Sequence, residues 1–278
     1  MTQNTDPLPR WKRRALVVPA LAAALAAAAT GCTKKESGTT TDAGVNLVAA
    51  GKLTTCTHLP YEPFQFKEAD GRVVGFDVDI VDLVAKNLKV TQEVKDMPWE
   101  GIKSGQALNS GQCDIAAAGI TITEDRKKVL DFSDSYFNAT QAMVMRADAA
   151  YAKLEDLKGK KVGVQAATTG AEYVEKQNKD GNLGLEVVSY RDLAALKQAL
   201  ATNQVEVAVN DMPVLALQVK KEPTKYTVGA TFDTGEKYGF ALKKGGNPKL
   251  VEAVNKAIAD ARSDGTYDKI YKQWIATS

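Results

Sequence analysis

Arg126 is the first residue in this chain of 278 whose type and setting suggest chemistry. Thr123 and the two acidic residues after it predict a helix that begins at Thr123, with Arg126 in its first turn. A planar guanidinium can pair with both oxygens of a carboxylate. Taken alone, however, the pattern is typical of a well-capped helix with an arginine on its surface.

Asp211 is the second such residue. It follows a predicted strand at 205–209 and precedes Met212-Pro213, which is typical of a helix start. A carboxylate at this point can cap the helix, accept hydrogen bonds from a cation, or do both.

The composition excludes several kinds of site. A single histidine, His58, rules out a His-rich zinc site and leaves a hydrolytic triad one candidate imidazole. Three cysteines are too few for a disulfide scaffold. The 36 Lys and Arg against 34 Asp and Glu give no basic excess of the kind that nucleic acids attract. We therefore expect no metal, no cofactor and no nucleic-acid partner.

The first 31 residues are predicted to be a signal peptide. Basic residues at 10–14 precede an alanine-rich apolar stretch at 15–29, which is too short to be read as a membrane-spanning helix. The small residues before Cys32 resemble the lipobox of bacterial lipoproteins, in which the cysteine carries the lipid. Ala29 departs from the usual leucine, and plain secretion with a free Cys32 thiol is the alternative.

Strands and helices alternate along the rest of the chain. The predicted strands are 53–57, 114–118, 161–165, 185–188, 205–209 and 238–242, and predicted helices start at Phe76, Thr169, Asp192, Pro213, Pro248 and Thr266. This alternation predicts an α/β fold of mostly parallel sheets flanked by helices. The pattern restarts after residue 139, which indicates two such sheets.

The segment around Arg126 resembles a known family. Residues 121–133 read Thr-x-Thr-x-x-Arg-x-x-x-x-x-Phe-Ser and closely resemble the extracytoplasmic amino-acid-binding proteins of ABC importers, the polar amino-acid branch of the family 3 solute-binding proteins. The segment just before it, Cys113-Asp114-Ile115-Ala116-Ala117-Ala118-Gly119, belongs to the same resemblance. Further fragments occur in the family's order over residues 51–275: Tyr61-Glu62-Pro63-Phe64-Gln65-Phe66, Gly71, Gly75-Phe76-Asp77-Val78-Asp79, Trp99, Lys158-Gly159-Lys160-Lys161-Val162-Gly163-Val164-Gln165, Asn210-Asp211 and Asp264-Gly265-Thr266-Tyr267-Asp268-Lys269-Ile270-Tyr271.

The resemblance implies a two-lobed periplasmic-binding-protein-like fold of type II, in which two hinge strands join two α/β lobes that close on a ligand. Matched to this chain, lobe 1 holds residues 46–138 and 237–278 and lobe 2 holds 142–232. A flexible tether at 32–45 would link the body to the signal peptide at 1–31. The implied function is capture of a polar amino acid by lobe closure and delivery to the permease subunits of an ABC transporter. The protein would act as a monomer, lipid-anchored on the outer face of the cell membrane, or secreted or periplasmic without the lipid.

The resemblance also assigns ligand-binding residues. Arg126 matches the arginine that holds the ligand's α-carboxylate, and Asp211 matches the carboxylate that accepts from the α-ammonium group. Because the two belong to different lobes, one ligand would bridge both and favour closure. The supporting residues implied are Gly119 and Thr121 in lobe 1, Thr168 and Thr169 in lobe 2, and Tyr61 and Trp99 as aromatic walls. Ala167 replaces the usual glycine beside Thr168, and core packing is the alternative for the two aromatic residues.

Specificity for the ligand's side chain rests on His58. Relatives that bind basic amino acids resemble one another in carrying aspartate at this position, so a histidine counts against a lysine or arginine ligand. Its imidazole can donate to an amide or an acidic group, and Gln165 and Asn210 can add polar contacts, which favours glutamine or glutamate. A loop histidine outside the pocket is the alternative.

Cys56 and Cys113 would both be exported, which allows a disulfide between them. If their strands are parallel neighbours, as the resemblance implies, the two cysteines can be offset beyond the ~7 Å limit on the Cα separation. Buried free thiols are therefore the expectation, and a disulfide is the alternative.

Two other functions fit the same fold. Some cyclohexadienyl dehydratases share it and use acids in the cleft for elimination, with Glu62 or Glu100 as the candidate acid here, and a ligand-sensing receptor module is the other alternative. Neither glutamate has a recognisable catalytic setting, so we expect no enzyme. An Arg126 and Asp211 pair with no further acid in the pocket would predict reversible binding.

Overall fold

The protein is described by a computed structural model that covers residues 40–276. The predicted signal peptide and Cys32 lie outside these residues. Val45, the last residue of the predicted tether, is only 1% exposed and packs in the core, so the tether prediction reaches too far into the folded body. Among the described residues, no helix combines the length and hydrophobicity that crossing a bilayer requires.

Twelve strands and nine α-helices are described between residues 40 and 276. The strands are β1 (Lys52–Thr57), β2 (Phe66–Lys67), β3 (Val73–Val74), β4 (Thr91–Asp96), β5 (Ile115–Ala116), β6 (Leu130–Phe132), β7 (Phe137–Arg146), β8 (Lys161–Gln165), β9 (Glu186–Tyr190), β10 (Val207–Asp211), β11 (Tyr226–Tyr238) and β12 (Ala241–Lys243). The helices are α1 (Phe76–Asn87), α2 (Trp99–Lys103), α3 (Gln106–Asn109), α4 (Glu124–Lys127), α5 (Thr169–Asp180), α6 (Leu193–Ala201), α7 (Met212–Lys221), α8 (Pro248–Ser263) and α9 (Thr266–Trp274), with a 3-10 helix at Leu154–Leu157.

Two five-stranded sheets form the body, as the alternation predicts. The first has the order β4-β1-β5-β12-β6, with β1 parallel to β4 and β5 and with β12 antiparallel to both of its neighbours. The second has the order β11-β7-β10-β8-β9, with β8 parallel to β9 and β10. The long strands β7 and β11 pair antiparallel from Arg146 and Tyr226 at one end to Phe137 and Tyr238 at the other. The two-lobed α/β fold expected from the sequence is therefore confirmed.

The chain passes between the sheets twice, at residues 133–136 and 239–240. The predicted strand at 238–242 is wrong in this respect, because β11 ends at Tyr238 and β12 begins at Ala241. Between them, the Gly239 N–H bonds to the Ile120 carbonyl at 3.0 Å, which interrupts the strand. We propose that the lobes divide within β7 and β11, with residues 46–138 and 237–278 in one and 142–232 in the other.

Aromatic side chains fill the region where the two passages meet. Tyr136 stacks on Phe240 with ring centroids 4.1 Å apart, and Phe137 stacks on Tyr238 at 5.5 Å. The last helices, α8 and α9, both pack against α1. The buried residues of α8 are spaced mostly three or four apart and form one face of the helix: Leu250, Val254, Ala257, Ile258 and Ala261. Gly265, between the two helices, has a positive φ of +79°, which glycine adopts without steric cost at the end of a helix.

Cys56 and Cys113 form a disulfide, so the expectation of two free thiols is wrong. Their Cα atoms are 5.7 Å apart, within the range that a disulfide spans. The offset argument assumed a straight strand through Cys113, but β5 begins only at Ile115 and the chain bends at Asp114. Both Asp114 oxygens accept backbone N–H groups, from Val48 and Thr54, which fixes this bend.

Candidate functional site

A small cavity lies between the two sheets at the carboxyl ends of their strands, where α/β folds place ligands. Its volume is about 30 Å³, room for about two water molecules. All nine residues predicted to bind the ligand line it: His58, Tyr61, Trp99, Gly119, Thr121, Arg126, Thr168, Thr169 and Asp211. Gln165, which the sequence suggested for additional polar contacts, lines it too, as do Gln65 and Ala118, which were not predicted.

Arg126 is held by helix α4. Thr123 Oγ1 accepts from the Arg126 N–H at 3.2 Å, so the N-cap predicted from the sequence is confirmed. The surface-arginine alternative is wrong, because Arg126 is only 6% exposed and its guanidinium lies over the Trp99 ring, 5.2 Å from the centroid. Nη1 donates to the Thr121 carbonyl at 2.8 Å. Within residues 40–276, no acidic oxygen lies within 4.0 Å of this guanidinium.

Trp99 closes one wall of the cavity and touches the opposite side of the cleft. Its Nε1 donates to the Ala167 carbonyl at 3.0 Å. Ala167 adopts a positive φ of +63°, the conformation that favours glycine, and it stands where the family resemblance expects glycine. The contact with Trp99 shows that the loop still approaches closely with alanine there.

Asp211 stands at the N-cap position of α7, but its carboxylate does not cap the helix. It instead accepts hydrogen bonds from three side chains: Tyr61 Oη at 2.5 Å, Tyr238 Oη and Gln141 Nε2. Burial, with the negative charge of Glu236 as the next cause, raises the pKa of Asp211 to about 6, against these three hydrogen bonds that lower it. The choice between cap and cleft group is thus resolved in favour of the cleft.

Tyr61 is more than an aromatic wall. Its hydroxyl lies 2.7 Å from Asn210 Oδ1 as well as contacting Asp211, which joins the loop after β1 to the end of β10. Burial and the charge of Asp211 raise the pKa of Tyr61 well above its ordinary value, so the phenol stays protonated and donates.

Glu236, on β11, is a cleft residue that the sequence did not predict. Its Oε2 accepts from Thr121 Oγ1 and from Thr169 Oγ1, each at 2.9 Å. Gln141 Nε2 lies 3.2 Å from Glu236 Oε1 while also donating to Asp211, so the two carboxylates share one amide. A further acid therefore lies beside the predicted pocket. Gln141 and Glu236 are 95 residues apart, and no local pattern marks either one.

Thr168 and Thr169 stand at the start of helix α5. Thr168 is the N-cap: its Oγ1 accepts from the Ala171 N–H at 3.2 Å and donates to the Gln165 carbonyl at 2.8 Å. Its hydroxyl is therefore engaged within the protein. An anion at the N-terminus of α5 is favoured instead by the first backbone N–H groups of the helix and by the helix dipole.

Gly119 has its N–H bound within the protein as well. Asp77 Oδ2 accepts from the Gly119 N–H at 2.9 Å, and Asp77 Oδ1 accepts from Tyr136 Oη at 2.7 Å. Burial raises the pKa of Asp77 to about 7, against these two hydrogen bonds. Gly119 can therefore offer a ligand only its carbonyl oxygen, and Asp77 fixes the loop that presents it.

His58 lies in the cavity wall, so the interpretation as a loop histidine outside the pocket is wrong. Its Nδ1 is 3.0 Å from the Met97 carbonyl, which requires a proton on Nδ1 and leaves Nε2 of a neutral ring as an acceptor. His58 Nε2 and Gln65 Oε1 are both buried and have no hydrogen-bond partner within residues 40–276. The Gln65 amide is oriented by Nε2, which donates to the His58 carbonyl at 3.4 Å.

The acids considered for an enzyme lie elsewhere. Neither Glu62 nor Glu100 lines the cavity. Glu62 pairs with Lys221 at 2.5 Å on the outer edge of the cleft. Among the described residues, no group of three or more His, Cys, Asp or Glu side chains could hold a metal ion.

Comparison with known proteins agrees with the family resemblance found in the sequence. The model of the bacterial extracellular solute-binding proteins, family 3, matches residues 53–277. A probable histidine-binding protein of Neisseria gonorrhoeae is 34% identical over 239 residues, which cover 84% of this chain and 87% of the relative. The L-cystine-binding protein TcyJ of Escherichia coli K12 is 35% identical over 218 residues, 77% of this chain and 79% of TcyJ. The solved structure of an ancestral arginine-binding protein bound to arginine is 42% identical, with a TM-score of 0.75 over 81% of this chain and 98% of the other. With a family match that extends from residue 53 to residue 277, the chain belongs to family 3 of the bacterial extracellular solute-binding proteins.

Proposed function

We propose that this protein captures a polar amino acid between its two lobes and delivers it to the permease subunits of an ABC transporter. The observation that carries the proposal is that one cavity is lined by both a buried guanidinium, Arg126, and a buried carboxylate, Asp211, from opposite sides. An amino acid in its zwitterionic form brings one group for each of them.

Arg126 receives the α-carboxylate. Among the described residues, its guanidinium donates one hydrogen bond, to the Thr121 carbonyl, and it is stacked on Trp99. A buried cation without a countercharge is costly, so the remaining N–H groups favour an anion in the cavity. The stacking fixes the plane of the guanidinium, which suits a carboxylate that binds through both oxygens.

Asp211 receives the α-ammonium group. Its oxygens already accept hydrogen bonds from Tyr61, Tyr238 and Gln141. The ammonium group adds its own hydrogen bonds to these or takes the place of one of them. The Gly119 carbonyl supplies a second acceptor. Thr121, Thr169 and the N-terminal N–H groups of α5 add donors for the carboxylate, with Thr168 capping the helix.

Binding requires the lobes to separate first. A space of about 30 Å³ holds about two water molecules and no amino acid. Because the binding residues come from both sides, a ligand that touches both favours the closed arrangement over the open one by its differential affinity.

The side-chain subsite favours glutamine over glutamate within the pair that the sequence suggests. In the part of the chain that the structure describes, Gln65 Oε1 and His58 Nε2 have no hydrogen-bond partner, and with the ring neutral both atoms are acceptors. An amide N–H₂ group has the protons that they require, whereas a carboxylate has none to donate. The guanidinium of arginine and the imidazole of histidine also donate hydrogen bonds, so these amino acids are the comparison ligands.

We also propose that the protein is exported through the signal peptide at 1–31 and is lipid-anchored at Cys32 on the outer face of the membrane, acting as a monomer. The family's extracellular setting and the small residues before Cys32 support this. Mass spectrometry of the membrane fraction tests it, since a mature chain starting at lipidated Cys32 has a defined mass.

A thermal-shift screen of the twenty amino acids on protein freed of bound ligand tests the function. A ligand that binds only the folded protein raises its melting temperature, and calorimetry then measures the affinity. We expect glutamine to give the largest shift and glutamate a smaller one. If no amino acid shifts the transition, the proposed function is wrong.

A further inference from the structure

Glu236 holds two hydroxyl groups that face the cavity from different sides. Thr121 lies in the loop after β5 of the first sheet, and Thr169 is the first residue of α5, which follows β8 of the second. Both Oγ1 atoms are 2.9 Å from the same oxygen, Glu236 Oε2. Thr234 Oγ1 donates to the other oxygen at 3.0 Å and steadies the carboxylate.

Each threonine hydroxyl has one proton to donate. While Thr121 and Thr169 donate to Glu236, neither can donate to the carboxylate of a ligand. The proposed function assigns these same two hydroxyls to the ligand's α-carboxylate, so Glu236 and the ligand compete for them.

We propose that Glu236 is an internal competitor of the ligand's α-carboxylate, so that amino-acid binding is an exchange in which Glu236 gives up the Thr121 and Thr169 hydroxyls. The inference rests on the proposed function and adds a residue that sets the affinity of the same site.

The negative charge of Glu236 also opposes the ligand's α-carboxylate. Glu236 already shares the Gln141 amide with Asp211, which places two carboxylates side by side. A ligand carboxylate adds a third negative group close to them, with Arg126 as the one cation lining the described part of the cavity. Like charges at short range repel, so the charge of Glu236 disfavours the ligand's α-carboxylate at the Thr121 and Thr169 hydroxyls, and the return of Glu236 to these hydroxyls helps to release the ligand.

Calorimetry of the parent and of Glu236→Ala with the amino acid found in the screen tests this. We expect the variant to bind at least about fivefold more tightly, because the hydroxyls are then free for the ligand. Glu236→Gln, which keeps the size and loses the charge, should gain at least about twofold and serves if the alanine variant does not fold. Asp233→Asn removes an exposed carboxylate of the same strand that accepts from the Gly235 N–H, and the affinity of this variant should match the parent's.

A double-mutant cycle separates the hydroxyls from the general field of the charge. In a Thr169→Val background, the gain from Glu236→Ala should shrink, since one contested hydroxyl is gone. If the parent binds an amino acid and Glu236→Ala binds it no more tightly, the proposed role of Glu236 is wrong while the proposed function stands. The role of Glu236 is also wrong if its gain in affinity is the same with and without Thr169→Val. A parent that binds no amino acid overturns the proposed function as well.

Discussion

Tyr61 and Asp211 meet across the cleft, with the Tyr61 hydroxyl 2.5 Å from Asp211 Oδ2. They are 150 residues apart, one in the loop after β1 of the first sheet and the other at the end of β10 of the second. The contact joins the two sheets through the carboxylate that the proposed function assigns to the ligand's ammonium group. Closure and ligand binding therefore depend on the same side chain.

Amino-acid affinity should fall as the pH is lowered below about 6. Burial raises the pKa of Asp211 to about 6. The ammonium group binds the ionised carboxylate, so protons compete with the ligand below that pH, and one competing proton lowers the affinity by about tenfold per pH unit. Calorimetry from about pH 5 to pH 8 measures the slope.

Asp211→Asn is the matched variant for this dependence. It should bind the amino acid weakly and lose the decline below about pH 6 that Asp211 causes. It should also discriminate less between a dicarboxylic acid and its amino derivative. If the variant treats these two ligands as the parent does, Asp211 only begins helix α7.

Arg126→Ala should lose about 2–5 kcal/mol of binding free energy, because a ligand carboxylate is then buried without its partner. The control is Arg72→Ala, because the Arg72 side chain is 69% exposed and pairs with Glu68 and Asp70 at the surface. Calorimetry should find the parent's affinity for this control. Near-parental affinity in Arg126→Ala itself would exclude the proposed carboxylate contact.

The sequence predicted those parts of the fold that local patterns encode. Apolar residues three and four apart gave α1, and Thr123 gave the N-cap of the helix that carries Arg126. The exact course of β7 and β11 was not predictable, because β11 has irregular pairing with β7 near Val228 and Phe232 and contains glycines.

The same reason explains which site residues were missed. Gln141 and Glu236 lie on these two strands, and only tertiary pairing brings them to the cleft. Six of the nine predicted residues stand in fragments that resemble the family: Tyr61, Trp99, Gly119, Thr121, Arg126 and Asp211. His58, Thr168 and Thr169 were predicted from positions beside those fragments. The bend at Asp114, which brings Cys113 to Cys56, depends on backbone donors about sixty residues away and has no local signal.

Asp77 should make the stability of the parent fall between about pH 4 and pH 7. Its folded pKa is raised from 3.8 to about 7, so the folded protein holds this proton more tightly than the unfolded chain does. The advantage is complete below the unfolded pKa and is lost as the pH rises through the folded pKa, a difference of about 4 kcal/mol.

Asp77→Asn removes this titration while keeping an acceptor for the Gly119 N–H or Tyr136 hydroxyl. Urea unfolding at about pH 5 and pH 8 should show that the parent loses more stability over this interval than the variant does. Equal losses in the two proteins would contradict the assignment. The control is Asp82→Asn on the same helix, which removes a carboxylate that pairs with Lys86 at the surface and should leave the parent's loss unchanged.

The disulfide between Cys56 and Cys113 should stabilise the protein without contributing to ligand binding. It closes a loop across a separation of 57 residues, which corresponds to about 4 kcal/mol of lost chain entropy in the unfolded state. The double variant Cys56→Ser, Cys113→Ser should therefore unfold at lower urea concentration than the parent. Neither cysteine lines the cavity, so the double variant should keep the parent's amino-acid affinity under conditions where it is folded. A stability loss below about 1 kcal/mol would contradict this expectation and would show that the unfolded chain already keeps the loop between the two cysteines compact without the covalent link.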